Sequence, residues 1–345
     1  MRTRTSSRVY LVALVAVLAL VGAACSKSKP KTKAKAPAAT TTTVPATYPL
    51  TGLPATNAAN AARPALSIKV DNVAAARPQA GVDAADVVYE EVVEGGLTRL
   101  LAVFQSTDAD PIGPVRSVRP TDPDLAAPFG GVFGFSGGST RFEALIRSTP
   151  GLTAVSAGDD AAAFPKHGPH TGDHTSYTST AALYTHAAAG AKAPPPFSPF
   201  LKAGEPFAPA GATPATRLAV IVGNQPVGFD FDAATKTWKR SMDGAPDLLQ
   251  NGTQIAPTNV IIEFVQYDPV EGAVDTTGSQ VFVGRVQGTG EAWVLSDGKV
   301  VKGKWSKSSQ TGITTYTDAT GAPLAIPPGH TFVELPPIGA KAAIT

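Results

Sequence analysis

Residues 192–216, KAPPPFSPFLKAGEPFAPAGATPAT, divide the chain. Proline fixes φ and lacks an amide proton, so a segment this rich in it cannot lie inside a helix or a central strand. The two sides differ in pattern. Before the break, ALSIKV, ADVVYEEVV, LTRLLAVFQS, GVFGFSG and LTAVSA read as strands, with RFEALIRS and STAALYTHAAA as helices between and after them. After it, RLAVIVG, GFDFD, TWKRSM, NVIIEFVQY, SQVFVGRVQG, EAWVLS, KVVKGKWS, ITTYT and TFVEL read as strands with almost no helix. SDGK at 296–299 is an Asp-Gly hairpin turn. The expectation is an α/β first domain over residues 48–191, with a mixed sheet and α+β as the variant. A connection follows at 192–216, then a mostly antiparallel β second domain at 217–337 and a tail at 338–345. Trp238, Trp293 and Trp305 all fall on second-domain strands, as core or face packing or as a sugar-stacking platform.

The N-terminus carries Arg2, Arg4 and Arg8, then an apolar run from Val9 that ends at Cys25, the single cysteine. A basic start, an apolar middle and small residues at the end form an export signal. A lone Cys has no disulfide mate and no metal-binding partner Cys. At this position it is a lipidation site, with a signal peptide at 1–24, although Gly22 stands where a lipobox has Leu. Residues 25–47 alternate Lys with small residues and then run into Ala, Thr and Pro, a disordered tether. The expected place is the outer face of the cell membrane, held by a lipid on Cys25. Residues 1–45 hold 8 of the 29 basic side chains and none of the 27 acidic ones, so the remainder carries a net charge of −6. That body lacks the basic footprint of a nucleic-acid binder.

Four segments carry candidate chemistry. In YEEVVEGGLTRLLAVF, Gly95–Gly96 taken as a two-residue turn puts Glu90, Glu94 and Arg99 on one face and Glu91 on the other. The two acids would then stand about 13 Å apart along the strand, too far for a glycosidase pair, and cross-strand ion pairing is the plainer reading. IGPVRSVRP at 112–120 sets Arg116 and Arg119 in a Pro-flanked loop. GFSGG at 134–138 matches the pattern around a hydrolase nucleophile. The same residues also fit a turn in which Ser139 or Thr140 caps the next helix and the Gly137–Gly138 amides accept an anion. Finally, His167, His170 and His174 cluster with Asp173, but Gly168, Pro169 and Gly172 prevent a single helix from aligning them for zinc. A loop histidine beside a pocket is the alternative.

Taken together, PLTGLPA, RPALSIKVDN, ARPQAGVDAADVVYE, VEGGLTRLLAVFQS, IGPVRSVRP, GGS at 137–139, NVIIEFV, SDGKVVKGKW and PPGHTFVEL resemble the YerB-like lipoproteins, a two-part bacterial family without an assigned activity. The resemblance covers roughly residues 48–337. It implies that Asn72, Glu90, Glu94, Arg99, Arg116, Arg119, Gly137, Gly138, Ser139 and His174 belong to the family pattern. Glu91 and Ser136 depart from it, which removes most of the support for a nucleophile at Ser136. The functional expectation is a binding or scaffold protein at the cell envelope, with an anion-accepting pocket formed by Asn72, Arg99, Arg116, Arg119 and Gly137–Ser139. Its partners would be wall polymer or wall-synthesis proteins; no cofactor and no metal are implied. Two alternatives stand beside it. One is an envelope glycan or peptide hydrolase using His174 with Glu90 or Glu94; the other is that Arg116 or Arg119 neutralises a buried glutamate.

Overall fold

The computed structural model describes residues 47–345. The signal peptide, Cys25 and nearly all of the tether lie outside the described residues. The first part contains β1 (Leu66–Asp71), β2 (Val87–Val92), β3 (Thr98–Phe104), β4 (Gly131–Phe135) and β5 (Leu152–Ser156). Four short helices accompany them: α1 (Ala58–Ala62), α2 (Asp122–Ala126), α3 (Thr140–Arg147) and α4 (Thr180–Tyr184). The second part begins with β6 (Thr213–Pro214), β7 (Arg217–Val222), β8 (Gln225–Asp232), β9 (Thr237–Met242) and β10 (Ala245–Pro246). It continues with β11 (Asn259–Glu263), β12 (Tyr267–Val274), β13 (Gln280–Gly284) and β14 (Gly288–Ser296). The last strands are β15 (Lys299–Lys307), β16 (Thr315–Thr317), β17 (Thr331–Leu335) and β18 (Ala342–Ile344).

One eleven-stranded sheet runs β16-β15-β14-β11-β17-β2-β3-β1-β4-β5, with β6 also on β15. It is mixed: β17 pairs with β2, and β1 with β4, in parallel, while β1–β3 and β2–β3 are antiparallel. The β2–β17 ladder means that strands from both sides of the Pro-rich break share this sheet. A five-stranded antiparallel sheet, β10-β9-β8-β7-β18, and the β12–β13 pair complete the second part.

Strand alternation explains the two cores. Leu66, Ile68, Val70, Leu100 and Ala102 face the five-stranded sheet through Leu218, Val220, Phe229 and Trp238. Val87, Tyr89, Leu101 and Val103 point the other way, toward Leu125, Phe129, Phe142, Ile146 and Phe197. Each fully buried side chain of this kind stabilises the fold by about 1.5–3 kcal/mol. All three tryptophans are buried, Trp238 completely, so they pack rather than form a platform.

The β2–β3 hairpin differs from the expected register. Val93 N–H donates to Leu97 O at 2.8 Å, closing a turn over Glu94–Gly96 in which Gly95 and Gly96 both take positive φ. Glu91, not Val92, therefore stands opposite Arg99, and Glu90 stands opposite Leu100. A one-residue change of register exchanges the faces. Glu91 thus shares a face with Arg99, and Glu90 points into the opposite core.

Candidate functional site

The segment Pro114–Val118 is wedged between the ends of β1 and β4. Asp71 N–H donates to Pro114 O (2.9 Å) and Arg116 N–H to Lys69 O (2.8 Å). On its other edge, Ser136 N–H donates to Arg116 O (3.1 Å) and Val118 N–H to Gly137 O (3.0 Å). β1 and β4 pair in parallel only over Leu66–Ile68 and Val132–Gly134, and the wedge opens beyond that point. The gap at the carboxyl ends of parallel strands is where open α/β sheets receive ligands.

Gly113 permits the wedge. Its φ is 154°, and a Cβ there would lie 2.8 Å from Tyr177 Cδ1 and 3.1 Å from Ser176 O. Gly113→Ala is expected to cost about 1–3 kcal/mol, read as a lower urea midpoint with an unchanged slope.

Three arginines converge on the wedge. Arg116 Nε lies 3.1 Å from Asp71 Oδ2, and its outer nitrogens reach Asp173 on the rim, at 3.3 Å and beyond. Arg119 Nε lies 2.7 Å from Glu94 Oε1. Arg99 is 7% exposed and forms no ion pair among the described residues: Nη1 donates to Ser117 O at 2.7 Å, and Nε has no hydrogen-bond partner. Burial, reinforced by the charge of Arg119, pulls its pKa down to about 10, against the pull of Asp71 and Glu94. Three guanidinium groups therefore meet two buried carboxylates. The third acid, Asp173, has a side chain 79% exposed and offers little compensation. Arg99 is thus the guanidinium left without a paired carboxylate.

Asp71 is the residue that the sequence reading did not single out. Its Oδ1 accepts Asn72 N–H at 2.9 Å, and its Oδ2 forms an ion pair with Arg116 Nε and lies 2.9 Å from His174 Nδ1. One signal for it existed. Asp71 ends β1 in phase with Ser67 and Lys69, the polar series of that strand.

The remaining candidates go elsewhere. Glu90 accepts from Asn72 Nδ2 at 2.8 Å and pairs with Arg240 of β9 on the opposite face of the sheet, so His174 has Asp71 as its carboxylate partner instead. Arg240, fully buried, also meets Asp247 and, at 3.4 Å, Glu334. On the wedge side Lys69 holds Glu91, with Asp122 at 2.8 Å. Ser139 caps α3, its hydroxyl accepting from Phe142 N–H at 3.4 Å. Gly137–Ser139 therefore lie beside the wedge, and Arg116 and Arg119 send their side chains to acids. His167 packs edge-on against Tyr177, and His170 Nε2 lies 3.0 Å from Pro78 O, so neither joins His174.

A cleft of about 780 Å³ opens elsewhere, lined by Leu53, Pro54, Leu201, Pro206 and Pro327 among others. Its lining is largely apolar, and the convergence of buried charge lies at the wedge.

A mixed sheet crossed by a Gly-Pro-Val-Arg wedge, with a β-rich second part joined through β17, defines a two-part α/β fold. The chain belongs to the family described as protein of unknown function DUF3048, whose N-terminal domain matches residues 50–193 and whose C-terminal domain matches residues 217–333. It is 27% identical over 293 residues to a Bacillus subtilis (strain 168) protein named "Putative lipoprotein YerB", covering 84% of this chain and 86% of that one. A crystal structure of YerB from Bacillus subtilis matches it with a TM-score of 0.71 at 24% identity, over 86% of this chain and 99% of that chain, which shows a common fold.

Proposed function

We propose that the protein is a lipid-anchored binding protein on the outer face of the cell membrane, with an anion-accepting site at the wedge. Cys25 behind an export signal, and a relative named as a lipoprotein, support the anchor. The observation that carries the binding role is Arg99, a buried guanidinium with no carboxylate of its own, beside Arg116. Burying an uncompensated cation is costly, and a ligand anion held by Arg99 and Arg116 offsets that cost through charge-assisted hydrogen bonds. The side chains of Arg116 and His174 remain 23% and 19% exposed, so the site is open to solvent. The ligand class is an anionic polymer of the cell envelope.

The described body, residues 47–345, is expected to co-sediment with purified anionic wall polymer, less so as salt rises. Arg99→Gln with Arg116→Gln is expected to weaken binding by about tenfold or more while circular dichroism stays unchanged. Binding that ignores both substitutions would contradict the assignment.

A further inference from the structure

We infer that the Asp71–His174 pair makes this anion site a hydrolytic centre for phosphodiesters, with His174 Nε2 as the general base. The inference rests on the anion-site reading and adds a chemical step to it. The imidazole is oriented from one side only. Asp71 Oδ2, 2.9 Å from Nδ1, favours the proton on Nδ1, and Asp71 is itself fixed by the Asn72 N–H and by Arg116. His174 Nε2 makes no hydrogen bond among the described residues and is not a buried unpaired atom, so its lone pair faces solvent. A carboxylate-oriented imidazole with a free Nε2 is the arrangement that removes a proton from water.

The charges around it select the substrate. Arg116 shares the Asp71 oxygen with His174, and Arg99 lies opposite Asp71 in the β1–β3 ladder. Two guanidinium groups with unused donors suit the two non-bridging oxygens of a phosphoryl group. Base-activated water helps a diester most, because transfer from a monoester is already loose and asks little of its nucleophile. In the step, Nε2 takes one proton from water, and the water oxygen bonds to phosphorus. The bond from phosphorus to the departing alkoxide breaks, and that alkoxide takes the proton back from Nε2. Diester and water become a monoester and an alcohol. His174 touches the reacting water; Asp71 is a positioning residue.

The test uses the full chain in detergent micelles with two probes, bis(p-nitrophenyl) phosphate for turnover and inorganic phosphate for binding by calorimetry. The wild type is expected to release p-nitrophenolate and to bind phosphate. His174→Gln is expected to lose about 100-fold or more of the turnover with phosphate affinity retained. Asp71→Asn is expected to lower kcat while phosphate binds as well or better, since a repelling charge is gone; a merely structural role would not give that split. If Asp71→Asn fails to fold, the His174→Gln variant, at a partly exposed position, decides. Phosphate binding without turnover would overturn the hydrolytic inference and leave the anion site standing, whereas failure of both would remove both. Turnover undiminished in His174→Gln, or phosphate affinity lost with it, would also overturn the inference.

Discussion

Arg240→Met is expected to lower the unfolding free energy by about 3–5 kcal/mol. Arg240 is fully buried between the five-stranded sheet and the large sheet, where it pairs with Glu90 and Asp247 and approaches Glu334. Its guanidinium also stacks 4.7 Å from the Phe332 ring centroid. Burial and the neighbouring charge of Glu90 hold the Glu334 carboxyl well above the usual carboxylate range, so the cluster already resists ionising in full. Without the cation, Glu90 and Asp247 would remain as buried charges with no counterion. Adding Glu90→Gln and Asp247→Asn to Arg240→Met should recover part of the loss, because the two carboxylates left without a counterion are then neutralised as well. Urea unfolding of the three proteins measures both effects. An Arg240→Met protein as stable as the wild type would show that the cluster does not hold the two sheets together.

Glu263→Gln is expected to leave stability unchanged at pH 4 and to raise it by about 3 kcal/mol at pH 8. Burial pushes the Glu263 carboxyl up to about 7, partly offset by the hydroxyl of Tyr316, which donates to Oε1 at 2.6 Å, and by the charge of Lys307. The folded protein therefore holds a proton that the unfolded chain releases near 4.5, the ordinary glutamate value. The contribution to stability is complete below that value and is lost as the pH rises through about 7. Glutamine keeps an acceptor for Tyr316 without the charge. Parallel denaturant titrations at the two pH values check this, and equal stability of both proteins at pH 8 would exclude a raised pKa of Glu263 in the folded state.

Much of the architecture was readable from local pattern. Every strand of the first part was marked by a run of β-branched and aromatic residues, RFEALIRS overlaps all of α3 but its first residue, and STAALYTHAAA contains α4. The pairing of β17 with β2 was not readable, because nothing local in TFVEL names a partner some 240 residues earlier. The hairpin register was missed for a smaller reason. Two glycines were counted as the whole turn, and the closing Val93–Leu97 pair added a residue. Arg240 was legible in principle, since it alternates in phase with Trp238 and Met242 and shares their burial. The arginine loop, the Gly turn and His174, which lie at the wedge, were singled out in the sequence, whereas Asn72, singled out with them, turns its side chain to Glu90, Thr98 and Gln79 on the opposite face. Asp71 was not singled out, because a carboxylate beside Asn72 looks like the polar end of any strand until the fold brings a loop some 100 residues away onto it.

The most direct test of the anion site is a crystal structure grown in sodium tungstate, a dense tetrahedral stand-in for phosphate. Density within hydrogen-bond distance of Arg99 and Arg116, beside His174 and the Gly137–Gly138 turn, is the expected result. Tungstate bound only elsewhere on the surface, with Arg99 still unpaired, would contradict an anion-accepting role for the wedge.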